Sequence, residues 1–286
     1  MNPLDSILRA CADYYNGTPT MTDAEYDDLV AGFAKKMPML YDQWRASYIG
    51  PRPAHATPHP FRLLSLRGDN WDHFAEFGEW LARMPKCNYL VQPKVDGHAI
   101  AVTYREGRLT RVATRGDGAM GKDITGLILK SKALPLVISH REEMHLTGEL
   151  YIPLSAWNST DFSHPRNELC SIMNGATTPR KSAIAAVIHG VHSWNAVKFA
   201  QTESKLFAVL ASRDRLPLVP FFELEPRLLV QGFGATLHAY QDHFRAGNMP
   251  IDGVVVKVNH LAARYKVGES SVAPLWAYAL KEYQTY

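Results

Sequence analysis

Lys94-Val95-Asp96-Gly97 sets an amine and a carboxylate two positions apart beside a glycine. In an extended chain those two side chains share a face. Taken alone, Asp-Gly only marks a turn. Its company changes the reading. His145-Leu146-Thr147-Gly148-Glu149-Leu150 carries a carboxylate in a strand-like run. Asp252-Gly253 opens Val254-Val255-Val256-Lys257-Val258, where alternation puts Val254, Val256 and Val258 on one face and Val255 and Lys257 on the other. Lys281 shares its face with Ala277 and Ala279, small residues that leave space for a ligand. One lysine in an apolar strand can simply snorkel to solvent. Three lysines in such settings, with Glu149 in a fourth strand, point instead to a ligand site where amines and carboxylates meet.

Gly116-Asp117-Gly118-Ala119-Met120-Gly121 matches G-x-G-x-x-G, which in a dinucleotide fold lets backbone approach a pyrophosphate. That fingerprint belongs between a strand and a helix of a parallel sheet, with an acidic residue about 20 positions on. Here a hairpin precedes it, and Glu142 and Glu143 are poorly placed. A glycine-rich turn is the simpler reading. The twelve histidines form no metal-ligand spacing, and no Cys-x-x-Cys pair exists, so zinc is not expected.

These residues need elements to hold them. Residues 3–15 read as a helix with Leu4, Ile7, Leu8 and Cys11 on one stripe. Asn16-Gly17-Thr18-Pro19 breaks it. Thr22-Asp23-Ala24-Glu25 fits a capping box opening a second helix, which Pro38 stops. Pro51, Pro53, Pro58 and Pro60 mark residues 51–60 as a linker. The body, 61–286, shows strands near 88–92, 98–104, 108–114, 144–152, 186–193, 253–258 and 275–281, and helices near 71–83 and 123–132. Glu106-Gly107 suits a hairpin turn. Hairpins outnumber strand–helix–strand units, so the expected class is α+β with antiparallel sheet.

Composition narrows the classes. The chain has 286 residues, 46% hydrophobic and 21% charged, near globular averages. The net charge of +3 is too small to announce a nucleic-acid binder. Residues 1–60 hold five basic and seven acidic side chains, so the first segment differs in character from the body. No apolar run reaches about 18 residues, and the N-terminus lacks a secretory pattern. Cys11, Cys87 and Cys170 imply no disulfide framework. The expectation is a cytoplasmic protein with reduced thiols and no membrane partner.

The motif set, in this order, resembles the nucleotidyltransferase superfamily of DNA ligases and RNA-capping enzymes. More narrowly, it is similar to the adenylation portion of NAD-dependent DNA ligases. Lys94-x-Asp96-Gly97 resembles the nucleophile motif. Thr114-Arg115-Gly116-Asp117-Gly118 with Gly121-Lys122-Asp123-Ile124-Thr125 resembles a signature specific to the NAD branch. Thr147-Gly148-Glu149, Pro165-Arg166-Asn167, Asp252 to Asn259 and Ala273 to Lys281 are similar to the later motifs, and Ser65-Leu66 to a segment lining the adenine pocket. Tyr14-Tyr15 with Asp23-Ala24-Glu25-Tyr26-Asp27 resembles the helical module, 1–50 here, that binds the nicotinamide mononucleotide half of NAD.

The resemblance implies a fold and a chemistry. The fold is an antiparallel-sheet, ATP-grasp-like ligase adenylation domain preceded by a small helical domain. The chemistry is attack by Lys94 on NAD, giving lysine–AMP and releasing nicotinamide mononucleotide, as the first step of nick ligation. A free lysine has a pKa near 10.4 and is a poor nucleophile when protonated; burial and cations lower it. The resemblance places Lys257 and Lys281 close enough to do so and to stabilise charge on the α-phosphate. It also implies catalytic roles for Asp96 and Glu149, ribose contacts from Arg115 and Glu149, and magnesium near Glu149. Arg166 contacts cofactor phosphates or DNA backbone, and Gln92 reads the adenine where the family usually has Glu. Asn174 and Leu275 stand where arginines are common. Tyr14 or Tyr15 and Tyr26 stack on the pyridinium, and Asp23 and Asp27 supply acceptors. Compensation of a helix N-terminus explains Asp23 equally well from sequence alone. The family's OB-fold, zinc module, helix-hairpin-helix and BRCT domains have no counterpart in these 286 residues, so the sequence is either a fragment, or the partner of a second chain supplying an OB-fold for nicked DNA, or a minimal viral-type enzyme that works differently. The alternative is a non-catalytic NAD-binding subunit.

Overall fold

The computed structural model describes residues 3–15, 20–21, 23–47, 56–70, 74–175, 184–192, 200–226 and 233–282. Three helices come first: α1 (Pro3–Tyr15), α2 (Asp23–Lys36) and α3 (Pro38–Ser47). The first two match the apolar periodicity. The third is a difference. Pro38 ends nothing beyond Lys36; it opens a new helix, where its missing N–H is harmless and its fixed φ fits the first turn. Ile7, Ala10 and Phe33 are buried, and Phe33 meets Tyr41 and Trp44 edge-on. Asn16 to Pro19 and Thr22, the expected break and cap, lie outside the described residues.

The body follows as β1 (Ala56–Pro58), β2 (Gly68–Asn70), α4 (Phe74–Arg83), β3 (Tyr89–Val95), β4 (His98–Arg105), β5 (Arg108–Thr114), β6 (Met120–Lys122), α5 (Thr125–Ser131) and β7 (Met144–Tyr151). Then come α6 (Pro165–Met173), β8 (Ala185–Val191), α7 (Glu203–Asp214), β9 (Phe222–Leu224), α8 (Phe233–Arg245), β10 (Ile251–Val258), α9 (Leu261–Val267) and β11 (Ala277–Lys281). Of the expected linker, 51–55 lie outside the described residues, while Ala56–Pro58 pairs antiparallel with β6 and so joins the body. Four body helices, α6 to α9, carried no sequence expectation.

Two sheets divide the work. One has strand order β2-β11-β10-β3-β9, the other β5-β4-β7-β8. Except for the parallel β2–β11 contact, all their pairings are antiparallel. Phe77 and Trp80 of α4 and Phe244 of α8 pack on Tyr89, Val91, Val254, Val256 and Leu280 of the first sheet. Ile128 of α5, Leu169 of α6 and Leu206 and Leu210 of α7 pack on Val102, Val112, Leu146 and Ile188 of the second. Strand alternation therefore leaves the opposite faces, with Lys94, Lys257 and Glu149, free to line a cavity.

The chain passes from one sheet to the other at Asp96-Gly97, between β3 and β4. β7 crosses so near that a Cβ at Gly97 would lie 2.0 Å from the Leu150 carbonyl oxygen and 3.0 Å from Glu149 Cγ. The glycine of Lys94-x-Asp-Gly is thus a steric demand of the seam. Gly253 makes a second one. Register shifts between Ile251 and Val254 opposite Lys94, Gly253 has φ 150°, and a Cβ there would lie 2.0 Å from the Leu280 carbonyl oxygen. That bulge is what brings Asp252 opposite Lys94. Gly253→Ala is predicted to cost about 1–3 kcal/mol in backbone strain. Chemical denaturation of the two proteins measures it, and an unchanged midpoint would contradict the steric reading.

Candidate active site

A cavity of about 880 Å³ lies between the sheets, lined from β3, β4, β7, β8, β10, β11 and the segment 61–66. Its floor follows from the register. Val255 pairs with Gln92 on one side and Ala279 on the other; Lys257 pairs with Leu90 and Ala277; Gly253 pairs with Lys281. With strands about 4.8 Å apart, the floor runs in cross-strand rows. Lys94 and Lys281 lie at one end, Gln92, Val255 and Ala279 in the middle, and Lys257 at the other. Every body residue expected from the sequence lines this one cavity: Ser65, Leu66, Gln92, Lys94, Asp96, Arg115, Glu149, Arg166, Lys257 and Lys281.

Lys94 is bound by a carboxylate. Its Nζ donates to Asp252 Oδ1 at 2.7 Å and Oδ2 at 2.5 Å, and both side chains remain partly open, at 22% and 28% exposure. This modifies the sequence expectation, in which neighbouring cations dominated the setting of the amine. Asp252 was named there only as part of a motif; the opposed bulge that makes it the partner of Lys94 has no signal in one strand's sequence.

Glu149 faces the same space from β7. Burial pushes its carboxyl up to about 8, against the pull of Lys94, Arg166 and Arg115 and with that of Asp96. Asp96 turns toward the start of α6, where His164 Nε2 lies 3.4 Å and Arg166 Nη1 3.8 Å from its carboxylate. Burial raises its carboxyl too, with Arg166 opposing. Arg115 donates to Ser65 Oγ at 3.1 Å. Gln92 is 2% exposed, and among the described residues its Nε2 has no hydrogen-bond partner. An unpaired buried amide costs roughly 1–3 kcal/mol, which a ligand hydrogen bond would recover.

Lys257 is 5% exposed, and burial pushes its amine down to about 8. It donates to the His189 carbonyl at 2.7 Å and lies 3.0 Å from Glu203 Oε2. Glu203 and Arg264, which share this cluster, drew no attention in the sequence. The only local signal was Thr202 before Glu203, a helix start; its Oγ1 accepts from Lys205 N–H.

The glycine pattern forms a turn between β5 and β6. Asp117 Oδ1 accepts from Ala119 and Met120 N–H at 3.0 and 2.8 Å, and β6 pairs with β1. No helix starts there, so the simpler reading holds. In the helical module, the Tyr26 hydroxyl lies 2.9 Å from Cys11 Sγ, linking α2 to α1. The side chains of Tyr14, Tyr15, Asp23 and Asp27 lie outside the described residues. Among the described residues no group of three or more His, Cys, Asp or Glu is arranged to hold a metal, and no helix is long and apolar enough to cross a membrane.

Comparison with known proteins adds a family. Residues 54–285 match the family model of the NAD-dependent DNA ligase adenylation domain. A DNA ligase of Thermobifida fusca is 30% identical over 302 residues, covering 94% of this chain and 39% of the relative. One of Frankia casuarinae is 30% identical over 295 residues, covering 94% and 41%. The chain thus spans about two fifths of the length of these relatives. A solved putative ATP-dependent DNA ligase from Aquifex aeolicus is 14% identical, with TM-score 0.40, over 79% of this chain and 49% of that one.

The raised carboxyl of Glu149 sets a pH dependence. The folded protein holds a proton that the unfolded chain releases near pH 4.3. Stability is therefore lost as pH climbs from there to about 8. Glu149→Gln removes that loss. The variant is predicted to melt a few degrees above the wild type at pH 8.5 and level with it near pH 4. An equal offset at both pH values would contradict it.

Proposed function

The chain belongs to the NAD-dependent DNA ligase adenylation domain family, and from that premise we propose that it adenylates itself at Lys94. The amine attacks the α-phosphorus of NAD. A P–N bond forms, the bond to the bridging oxygen breaks, and nicotinamide mononucleotide leaves with that oxygen. The ammonium must first surrender a proton to free its lone pair. Asp252, at 2.5 Å, is the acceptor. The observation that carries the reading is this pair, set in a cavity whose floor also presents Lys257 and Lys281.

The other roles are carried over from the family's motifs. Lys257 and Lys281 meet charge building on the α-phosphate. Gln92 offers its amide to the edge of the adenine over the apolar Val255–Ala279 row, and Ser65 and Leu66 wall the same space. Arg115 and Glu149 hold the ribose, Asp96 orders Arg166, and Arg166 serves the phosphates or a DNA backbone. Tyr14, Tyr15, Tyr26, Asp23 and Asp27 bind the nicotinamide mononucleotide half. A magnesium ion keeps several waters and needs only one or two carboxylates beside substrate phosphates; the cavity-facing Glu149 would serve once the ion's charge displaces the proton that burial holds on its carboxyl. Bound there, it would supply positive charge against the phosphates. Nicked DNA, engaged with the help of an OB-fold, is the proposed acceptor of the AMP.

Intact mass after incubation with NAD and magnesium, beside a tube with ATP, tests the reading. The expected result is a gain of one AMP with NAD alone, abolished by Lys94→Ala. No gain, or an equal gain from ATP, would overturn it. Asp27→Ala is expected to slow both adduct formation from NAD and the return of AMP to nicotinamide mononucleotide. A variant that adenylates normally removes the helical module from the mechanism.

A further inference from the structure

Two buried cations share one buried carboxylate on the cavity wall. Glu203 is 2% exposed and accepts from Arg264 through both oxygens, Nη1 to Oε1 at 3.0 Å and Nη2 to Oε2 at 2.8 Å. The same Oε2 lies 3.0 Å from Lys257 Nζ. Arg264 is itself fixed: its Nε donates to the Val258 carbonyl at 2.5 Å, and its guanidinium lies 4.3 Å from the Trp276 ring centre.

The carboxylate is placed by the same strand that carries Lys257. Asn259, two residues past Lys257, accepts from Glu203 N–H through its backbone carbonyl at 3.0 Å. It accepts from Ser204 N–H through Oδ1 at 3.0 Å and donates from Nδ2 to Ser204 Oγ at 3.0 Å. Leu261 N–H donates to the Gln201 carbonyl. The first turn of α7 is thus locked to the end of β10, and Glu203 can meet Lys257 in only one way.

Stability alone gives a weak reason for such a cluster, because well-packed apolar residues do as well as a buried ion pair. Charge gives a better one. A lone Glu203–Lys257 pair would be neutral and hold no attraction for a phosphate. With Arg264 bound to both carboxylate oxygens, the cluster keeps one positive charge in excess. Lys257 has three N–H bonds; two are engaged by Glu203 and the His189 carbonyl, the Phe207 ring centre lies 6.0 Å from Nζ, and among the described residues no oxygen or nitrogen acceptor holds the third. We propose that Glu203 is a positioning residue: braced by Arg264, it fixes the Lys257 ammonium so that its remaining N–H meets the α-phosphate as charge develops there. Neither residue touches the reacting atoms. This inference rests on the self-adenylation reading above.

Single-turnover adduct formation with NAD, followed by intact mass, tests it in Glu203→Gln, Lys257→Met and the double variant. At saturating NAD, E203Q is expected to lower the rate constant at least about tenfold, while the NAD concentration giving half the maximal rate moves little. In the Lys257→Met background the same change should add no more than about threefold, because Glu203 acts only through that amine. A merely structural residue would instead lower the fraction of protein that reacts and leave the rate constant of the remainder intact. That result, or an undiminished loss in the Lys257→Met background, overturns the proposal. Should E203Q yield too little folded protein, E203D carries the same cycle with a smaller predicted loss, and additivity there also overturns it. A wild type that forms no adduct overturns the adenylation reading and this inference together, whereas a reactive wild type with additive variants overturns this inference alone.

Discussion

The ion pair between Lys94 and Asp252 is the contact on which the rest of the body is arranged. Its two partners come from neighbouring antiparallel strands at the point where their register breaks. An ordinary ladder would keep both residues in pleat alternation. The bulge at Asp252-Gly253 turns the carboxylate to the amine instead, and only glycine fits under the Leu280 carbonyl at the next position. The same few residues carry the chain from one sheet to the other through Gly97, under β7. Helix packing covers the outer faces of the two sheets and leaves the cavity between their inner ones.

Electrostatics inside that space are graded. Lys94 keeps a partly exposed carboxylate partner. Lys257 has a sealed one, and burial brings its amine down to about 8 even beside Glu203. Burial raises the Glu203 carboxyl, but Arg264 and then Lys257 outweigh it and hold the group well below the usual carboxylate range. Glu149 has His189 Nε2 4.0 Å away in place of an arginine, and burial carries its carboxyl the other way. Lys94 thus faces a partly exposed carboxylate, whereas Lys257 faces a buried one that Arg264 also holds.

Much of this was legible in the sequence, and the gaps have physical causes. Period-two alternation placed Val255 and Lys257 on the ligand face and Val254, Val256 and Val258 in the core, as found. Glu106-Gly107 marked its hairpin because both residues take positive φ there. Pro38 stops α2 as expected, but the helix it opens went unread because proline ends one helix and starts another equally well. The helices α6 to α9 were hidden because each is short or mixes polar residues through its core face, as Glu203 does in α7. Asp252 and Glu203 escaped as partners because a single strand's sequence carries neither register nor bulge, and their cations lie 158 and 54 or 61 positions away.

Asp252 is the proposed acceptor of the proton whose loss makes Lys94 a nucleophile. Asp252→Asn keeps shape and hydrogen bonding but removes the base. Its rate of adduct formation at saturating NAD and neutral pH, with the modified lysine mapped by peptide mass, is the direct measurement. The expected result is a fall of about 100-fold or more, with any residual adduct still on Lys94. A rate within a fewfold of the wild type, or AMP found on Lys257 or Lys281, would contradict it.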